Sequence, residues 1–318
     1  TLTATITPTE TAPPPTSTPN PTATPTPIVS YYDSLPPGDY IIYAFDEIFT
    51  HWRVSPENEG IPHYFVSADG ENLGVIIDEL GGRMTPNGKF IIFARDSYGI
   101  TRYYRYEIAT NTYKEIYIPV YKCWQYIFSP DAIKIAANCE NNIHILSVDD
   151  LTYENLTPWT EDQESAIFSG LAWSFDGQYI AYGYSPKFME QVEYGGVYIT
   201  DVNCLSQPDT CKDKTSGPFL NWRRPADIVI VWAINDRYLA FTNDDSKDIY
   251  FTDIENNQEE LLIDLENRSP SFAWSPDSTT LAYSQPDGIY IISRENKQPV
   301  RILETDQIPL VEAWITIP

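Results

Sequence analysis

A short unit recurs along the chain and constrains its fold more than any other feature. In each copy a turn rich in Pro, Asp, Asn and Gly precedes a run of β-branched and aromatic residues. Proline presets φ at the second position of a turn, and Asp bonds its own downstream backbone, so such segments connect antiparallel strands. The clearest copy, residues 271–292, shows three short strands separated by turns at 275–278 and 286–288.

Six copies of the unit are present. Their turn segments lie at residues 34–38, 84–88, 128–131, 173–177, 232–236 and 274–277. The copies are roughly 40 to 60 residues apart, and four-stranded repeats of about this period are typical of β-propellers. The sequence therefore predicts an all-β fold, a six-bladed β-propeller of four-stranded antiparallel blades. Residues 311–314 (Val-Glu-Ala-Trp) match 271–274 (Ser-Phe-Ala-Trp), but no turn follows them. We expect this C-terminal strand to be the innermost strand of the first blade and to close the ring.

The repeat resembles a known family. The segments Trp274-Ser-Pro-Asp and Phe128-Ser-Pro-Asp, the related Trp173-Ser-Phe-Asp, and the third strands at 196–201 and 248–253 resemble TolB-type (WD40-like) propeller repeats. Such repeats also precede the hydrolase domain of prolyl oligopeptidase-like peptidases, a domain that we do not expect in this protein. The resemblance covers about residues 34–318 and implies the fold, with the repeated Trp and Asp as core and turn residues. It also implies a secreted or lipid-anchored bacterial protein.

The start of the chain has a different composition. Residues 1–27 consist almost entirely of Thr, Pro, Ala and Ser, which cannot form a core and favour an extended polyproline II conformation. We therefore divide the chain into a Thr/Pro-rich arm, residues 1–33, and a propeller, residues 34–318. One interpretation makes the arm a spacer behind an upstream membrane or lipid anchor, and another makes it a structural arm that is glycosylated or docks on a neighbour.

Several residues are candidate glycosylation sites. Ser/Thr- and Pro-rich tracts are typical of O-glycosylated stalks. The Thr-Pro pairs make Thr7, Thr18, Thr24 and Thr26 candidate O-glycosylation sites. The triplets at Asn155 and Asn267 are N-glycosylation sequons, each followed directly by proline.

Charge restricts the class of partner. The formal net charge is −25 and the pI is about 4.3. Such a surface repels nucleic acid and anionic membrane. No apolar run in the chain is long enough to span a bilayer.

Four cysteines indicate an oxidising compartment. Cys123 and Cys139 lie at equal distances from Asp131, the register of opposed residues in a hairpin. Cys204 and Cys211 enclose a short loop in the longest repeat. We predict two disulfides and an extracellular location. Because neither pair has Cys-x-x-Cys spacing, a zinc site is not expected.

Catalytic motifs are absent from the sequence. There is no Gly-x-Ser-x-Gly or His-Glu-x-x-His segment. His51, His63 and His144 lie in different repeats, and His144 alternates within its strand so as to face solvent or the next blade. Residues 243–248 could offer oxygen ligands to Ca²⁺ but are more typical of a solvated turn. We expect no enzyme, no cofactor and no metal site.

Three functional hypotheses follow. The first is a non-catalytic cell-surface module that binds or scaffolds protein or glycan partners through one face of the ring. Trp52, Trp159 and Trp222 lie outside the repeat pattern and are its candidate sugar-stacking residues. The second is a structural subunit of an extracellular filament or surface layer, assembled through the arm or by strand addition from residues 28–33. The third is a glycoside-active enzyme with paired carboxylates facing the channel. Four segments are expected to be large exposed loops: residues 46–60, 161–165, 186–194 and 204–221.

Overall fold

A computed structural model defines the fold of the chain. It describes residues 32, 35–45, 62–77, 82–97, 100–117, 123–139, 142–148, 152–157, 167–185, 195–222, 228–242, 247–256, 258–267 and 271–318. The predicted arm, apart from Tyr32, lies outside these residues, so the domain division at residue 34 stays a prediction.

The described residues form six four-stranded antiparallel sheets, the predicted number of blades. Strands are numbered in chain order and given from the ring axis outwards. Blade one contains β24 (Pro309–Ile317), β1 (Gly38–Phe45), β2 (His63–Ser67) and β3 (Leu73–Ile77). Blade two contains β4 (Arg83–Met84), β5 (Phe90–Ser97), β6 (Ile100–Glu107) and β7 (Thr112–Ile116). Blade three contains β8 (Cys123–Phe128), β9 (Lys134–Cys139), β10 (Asn142–Ser147) and β11 (Tyr153–Asn155).

The remaining blades repeat this order. Blade four contains β12 (Ile167–Trp173), β13 (Tyr179–Ser185), β14 (Gly195–Asp201) and β15 (Thr215–Trp222). Blade five contains β16 (Ile230–Trp232), β17 (Tyr238–Thr242), β18 (Ile249–Asp253) and β19 (Gln258–Ile263). Blade six contains β20 (Phe272–Trp274), β21 (Thr280–Gln285), β22 (Gly288–Ser293) and β23 (Val300–Glu304).

The C-terminal strand closes the ring as predicted. β24 pairs antiparallel with β1 along eight residue pairs, from Gly38 opposite Ile317 to Phe45 opposite Pro309. The first blade is therefore built from both ends of the propeller sequence. Because β24 completes the first blade, β1 is paired on both sides and does not form an open sheet edge.

The turn after each inner strand explains the repeated sequence signature. In blade six the Ser278 N–H donates to the Ser275 carbonyl at 2.8 Å, and the Ser275 hydroxyl donates to Asp277 Oδ1 at 2.6 Å. The fourth turn residue has a φ of 61°, a left-handed conformation that Gly, Asn and Asp tolerate best. The fourth residue of the other four turns has φ between 55° and 73°: Gly88, Ala132, Gly177 and Asp236.

The hydrophobic core lies between the blades. One cluster joins Ile41 and Tyr43 of blade one to Ala273, Ala282 and Ile289 of blade six. Similar clusters join the other neighbouring blades. Both faces of each sheet are therefore buried, which accounts for the continuous apolar runs of the second strands.

The ring has two distinct ends. Inner strands turn into second strands at one end, which we call the turn end. Second strands lead into third strands, and fourth strands lead to the next blade, at the opposite end, which we call the connection end. The pairing of Gly38 with Ile317 places both the start of β1 and the C-terminus at the turn end.

Both predicted disulfides are present. Cys123 and Cys139 are directly paired with a Cα–Cα distance of 4.1 Å. The rest of this hairpin pairs with Gln125 opposite Asn138, so one extra residue, Trp124, forms the bulge that brings the two cysteines into register. Cys204 and Cys211 are joined across a series of short 3₁₀ turns, with a Cα–Cα distance of 5.0 Å.

One expected loop is wrong in part. The segment 204–221 contains those 3₁₀ turns, but its second half belongs to the outer strand β15. Two register shifts against β14, around Val197, break the alternation that would have indicated a strand. No helix among the described residues is long and apolar enough to cross a bilayer.

We predict that both disulfides contribute to stability. They close loops with sequence separations of 16 and 7 residues. Replacing Cys123 and Cys139 together by Ala should lower the free energy of unfolding by about 3 kcal/mol, and the Cys204/Cys211 pair by about 2.5 kcal/mol. Urea unfolding of the parent and both double variants measures this. A parent with four titratable thiols under denaturing, non-reducing conditions, or variants as stable as the parent, would contradict the prediction.

Candidate functional site

The six inner strands surround a central channel. Each contributes one large residue at the equivalent position of its strand: Met84, Phe128, Trp173, Trp232, Trp274 and Trp314. The cavity within the channel has a volume of about 200 Å³. In four of the turns the second residue also lines the channel, at its turn end: Pro86, Pro130, Phe175 and Ile234. The lining is predominantly apolar and aromatic, as in many ligand sites.

Two of the four channel tryptophans link neighbouring blades. The Trp232 indole N–H donates to the Ala172 carbonyl of blade four at 3.2 Å. The Trp173 indole N–H donates to the Ile127 carbonyl of blade three at 3.4 Å. In each case a side chain of one inner strand bonds the backbone of the preceding inner strand.

The other two channel tryptophans lack this link. Trp274 is 3% exposed and Trp314 is 5% exposed. Within the described part of the protein, the buried Nε1 of each has no hydrogen-bond partner. Both side chains line the channel. The two indole nitrogens are themselves buried from solvent, so they face neighbouring protein atoms and not the open space of the channel.

A buried acid lies beside these tryptophans. The register of β24 passes from Val311 opposite Tyr43 to Ala313 opposite Ile42, so Glu312 is the extra residue of a bulge. Its carboxylate contacts His63 Nδ1 at 2.6 Å, and both side chains are almost inaccessible to solvent. The Met84 N–H of blade two donates to the same carboxylate at 3.5 Å. Glu312 therefore joins blades one and two across the closure of the ring.

The ionisation of Glu312 follows from these partners. Burial by itself raises the pKa of this carboxyl group. The charge and hydrogen bond of His63, the charge of Arg83 and the Met84 amide together outweigh burial, and the pKa of Glu312 lies below its ordinary value. Burial and, to a smaller extent, the charge of Glu312 raise the pKa of the Tyr32 phenol far above its ordinary value. Tyr32, the first described residue, is therefore close to this cluster.

The three candidate sugar-stacking tryptophans lie in different segments of the chain. Trp222 is the last residue of β15 and pairs with Gly195, at the connection end. Trp52 and Trp159 lie outside the described residues, in the connections between β1 and β2 and between β11 and β12. The described strands that flank these two segments end and begin at the connection end. Of the three tryptophans the structure therefore locates the backbone of Trp222 alone, and the other two stay predictions.

The candidate glycosylation sites differ in their surroundings. The Thr157 N–H donates to Asn155 Oδ1 at 2.9 Å, and the buried Thr157 hydroxyl accepts the Ile143 N–H at 2.9 Å. The fold therefore engages both polar residues of the Asn155 sequon, whereas Asn267 is exposed. The four threonines of the arm lie outside the described residues.

The histidines do not form a common site. His51 lies outside the described residues, and His63 pairs with Glu312. His144 is buried and stacks on Tyr153, with ring centroids 4.3 Å apart. No group of three or more His, Cys, Asp or Glu with metal-binding geometry occurs among the described residues. Of segment 243–248, only residues 247 and 248 are described.

Sequence reasoning missed the His63–Glu312 pair. The two residues are 249 positions apart, and neither belongs to a recognisable motif. The one available signal was a glutamate within an apolar strand, Val-Glu-Ala-Trp, at a position where the matching strand of blade six has Phe272.

No protein-family model matches the sequence, and no curated protein matches it. Solved structures do share its fold. TolB from Acinetobacter baumannii is 16% identical with a TM-score of 0.54, and the match covers 87% of this chain and 66% of TolB. A chain of a nidogen/laminin complex is 7% identical with a TM-score of 0.55, covering 87% of this chain and 98% of that one. The match confirms the TolB-type propeller resemblance at the level of fold.

We predict that Glu312 stabilises the ring closure in a pH-dependent way. Since its pKa is lower in the folded state, its contribution is complete above the ordinary value of 4.5 and is lost as the pH falls through the folded pKa. Glu312→Gln should lower the free energy of unfolding at pH 7 by about 3 kcal/mol. The variant should also lose less stability than the parent on acidification below pH 4.5.

Urea unfolding between pH 7 and pH 3 measures both effects. Glu304→Gln is the matched control, because Glu304 forms an exposed pair with Arg301 at 2.9 Å and should change stability by less than about 0.5 kcal/mol. If Glu312→Gln and Glu304→Gln lowered the free energy of unfolding by the same amount, the prediction for the buried pair would be contradicted.

Proposed function

We propose that this chain, which has the fold of TolB-type six-bladed propellers, is an extracellular, non-catalytic module that binds a protein or glycan partner at the connection end of its ring. The observation that supports the proposal is the position of Trp52, Trp159 and Trp222 in the sequence: each lies outside the repeat pattern, in or beside a link whose flanking described strands end at the connection end. Exposed aromatic side chains supply contact area at protein interfaces and stack on sugar rings.

Two disulfides support a location outside the cytoplasm, where such bonds persist. The net charge of −25 is compatible with a secreted protein that avoids nucleic acid. Among the described channel-lining residues, Glu312 is the one carboxylate, and it is paired with His63. Because glycoside hydrolysis generally needs two carboxyl groups, the described lining supports binding rather than turnover.

We predict that the connection-end tryptophans carry partner binding. The triple replacement of Trp52, Trp159 and Trp222 by Ala should reduce binding at least about tenfold, since each lost aromatic anchor costs about 1 kcal/mol or more. Binding is measured on a glycan array and against extracted cell-surface proteins. Tyr113→Ala is the matched control, because this aromatic is 62% exposed on the outer strand β7. Equal binding by the triple variant and the control would contradict the proposal.

The same glycan experiment tests the enzymatic alternative. Bound oligosaccharides are recovered and analysed by mass spectrometry after prolonged incubation. Unchanged chain lengths are expected, and shortened products would replace the binding proposal with glycoside cleavage.

Assembly into a filament or surface layer is the second candidate function, and the outer edge of blade one favours it. The outer strand β3, Leu-Gly-Val-Ile-Ile, contains neither a charge nor a proline. Exposed sheet edges in natural proteins usually carry charged residues or proline, which prevent pairing with another strand. Leu73 is 63% exposed and Val75 is 50% exposed. An added strand, for which residues 28–33 of a neighbour are the candidate, would find free backbone groups there.

We predict that any self-association depends on this edge. Val75→Lys should abolish association, because a charge at an exposed edge opposes strand pairing. Val300→Lys is the matched control, on the outer strand β23 and 55% exposed. Sedimentation velocity over a wide concentration range measures both. A parent that stays monomeric at every concentration removes this candidate.

A further inference from the structure

The turn of blade two contains Asn87-Gly88, the one Asn-Gly pair of the chain. Asparagine before glycine is prone to spontaneous deamidation, because glycine has no side chain to shield its backbone nitrogen. That nitrogen attacks the side-chain carbonyl carbon, the C–N bond of the amide breaks, and ammonia leaves. Water then opens the resulting succinimide ring to aspartate or isoaspartate. The reaction needs no enzyme and no co-reactant other than water.

In the fold, both ends of the Asn87 side-chain amide are engaged. Its Oδ1 accepts the Thr85 hydroxyl at 2.7 Å and the Lys89 N–H at 3.0 Å. Its Nδ2 donates to the Pro130 carbonyl of blade three at 2.5 Å. The Gly88 nitrogen, which would have to attack, instead donates its N–H to the Thr85 carbonyl at 2.8 Å. The side chain must therefore break these bonds before it can react.

The amide at this position has a structural task that the other blades do not share. Asn235 has the same turn position in blade five, and its Oδ1 accepts the N–H two residues later at 3.0 Å. Among the described residues its Nδ2 has no partner. In three further blades an aspartate occupies this position and its carboxylate accepts hydrogen bonds from its own turn: Asp131, Asp176 and Asp277. Within the described turns, Asn87 alone uses this side chain to hold the next blade.

We propose that Asn87 is a spontaneous modification site, held unreactive by the closed ring, whose deamidation weakens the contact between blades two and three. When this boundary opens, the Gly88 nitrogen is released and attacks the amide. The carboxylate that forms cannot donate to the Pro130 carbonyl. The reaction thus converts a reversible opening into a permanent one. It is independent of the partner-binding surface proposed above.

Two further elements hold the same turn. The Tyr32 hydroxyl donates to the Gly88 carbonyl at 2.5 Å. The Ile315 side chain of β24 occupies the space that a Cβ of residue 88 would need. Isoaspartate adds one carbon atom to the backbone of the turn, which would displace these contacts. The site therefore lies where the start of the propeller, its closing strand and blades two and three meet.

The experiment follows the loss of the amide in the full chain by tryptic peptide mapping and mass spectrometry. Cleavage after Arg83 and Lys89 releases residues 84–89, in which Asn87 is the only amide side chain. The chain is incubated at neutral pH in native buffer and in guanidinium chloride. We expect a rate at least about tenfold lower in native buffer, because opening must precede reaction. Equal rates in the two solutions would overturn the proposal.

A variant tests whether opening of this turn controls the rate. Tyr32→Phe keeps the ring and removes the hydroxyl that holds Gly88, so it should raise the native rate about threefold. The rate in guanidinium chloride should not change. Tyr290→Phe is the matched control, because its hydroxyl donates to Asp287 of blade six at 2.8 Å. A native rate that is unchanged in Tyr32→Phe, or equally raised in Tyr290→Phe, would overturn the proposal.

Asn87→Asp reproduces one product of the reaction. It should raise the equilibrium constant for unfolding about tenfold, because the Pro130 carbonyl loses its donor and faces a carboxylate. Asn235→Asp is the matched control, since it loses no described donor bond, and should change that constant less than about twofold. Urea unfolding measures both variants. Equal effects of the two substitutions would overturn the proposed weakening of the ring.

Discussion

The pairing of β24 with β1 is the interaction on which the rest of the structure depends. Eight residue pairs join the two ends of the propeller sequence. Without this ladder blade one would lack its inner strand, and the channel would lack one of its six walls. Trp314 and Glu312 reach the channel only through this strand. The closure therefore defines the candidate site as well as the fold.

Irregularities in the strands carry much of the specific chemistry. The extra residue in β24 is Glu312, whose carboxylate reaches His63 and the backbone of Met84. The extra residue in β8, Trp124, sets the register of the disulfide between Cys123 and Cys139. A bulge reorients side chains at low cost because it disturbs the ladder at one position. The regular repeat determines the overall fold, and single inserted residues position individual side chains within it.

The two ends of the ring are suited to different tasks. The turn end carries the attachment of the arm at Tyr32, the C-terminus and the mouth formed by the turn residues. At the connection end lie the described strand ends between which the sequence places Trp52 and Trp159.

The sequence by itself determined the blades, the closure and the disulfides. The signals were local: turns rich in Pro, Asp, Asn and Gly, an apolar strand on either side, and a pair of cysteines placed symmetrically about a turn. It misjudged the segment 204–221, because β15 pairs with β14 through two register shifts. Only the tertiary structure decided which indole donors are paired and that Glu312 meets His63. These contacts join residues of different strands and blades, up to 249 positions apart, and depend on how ring curvature brings neighbouring inner strands together, which no short stretch of sequence encodes.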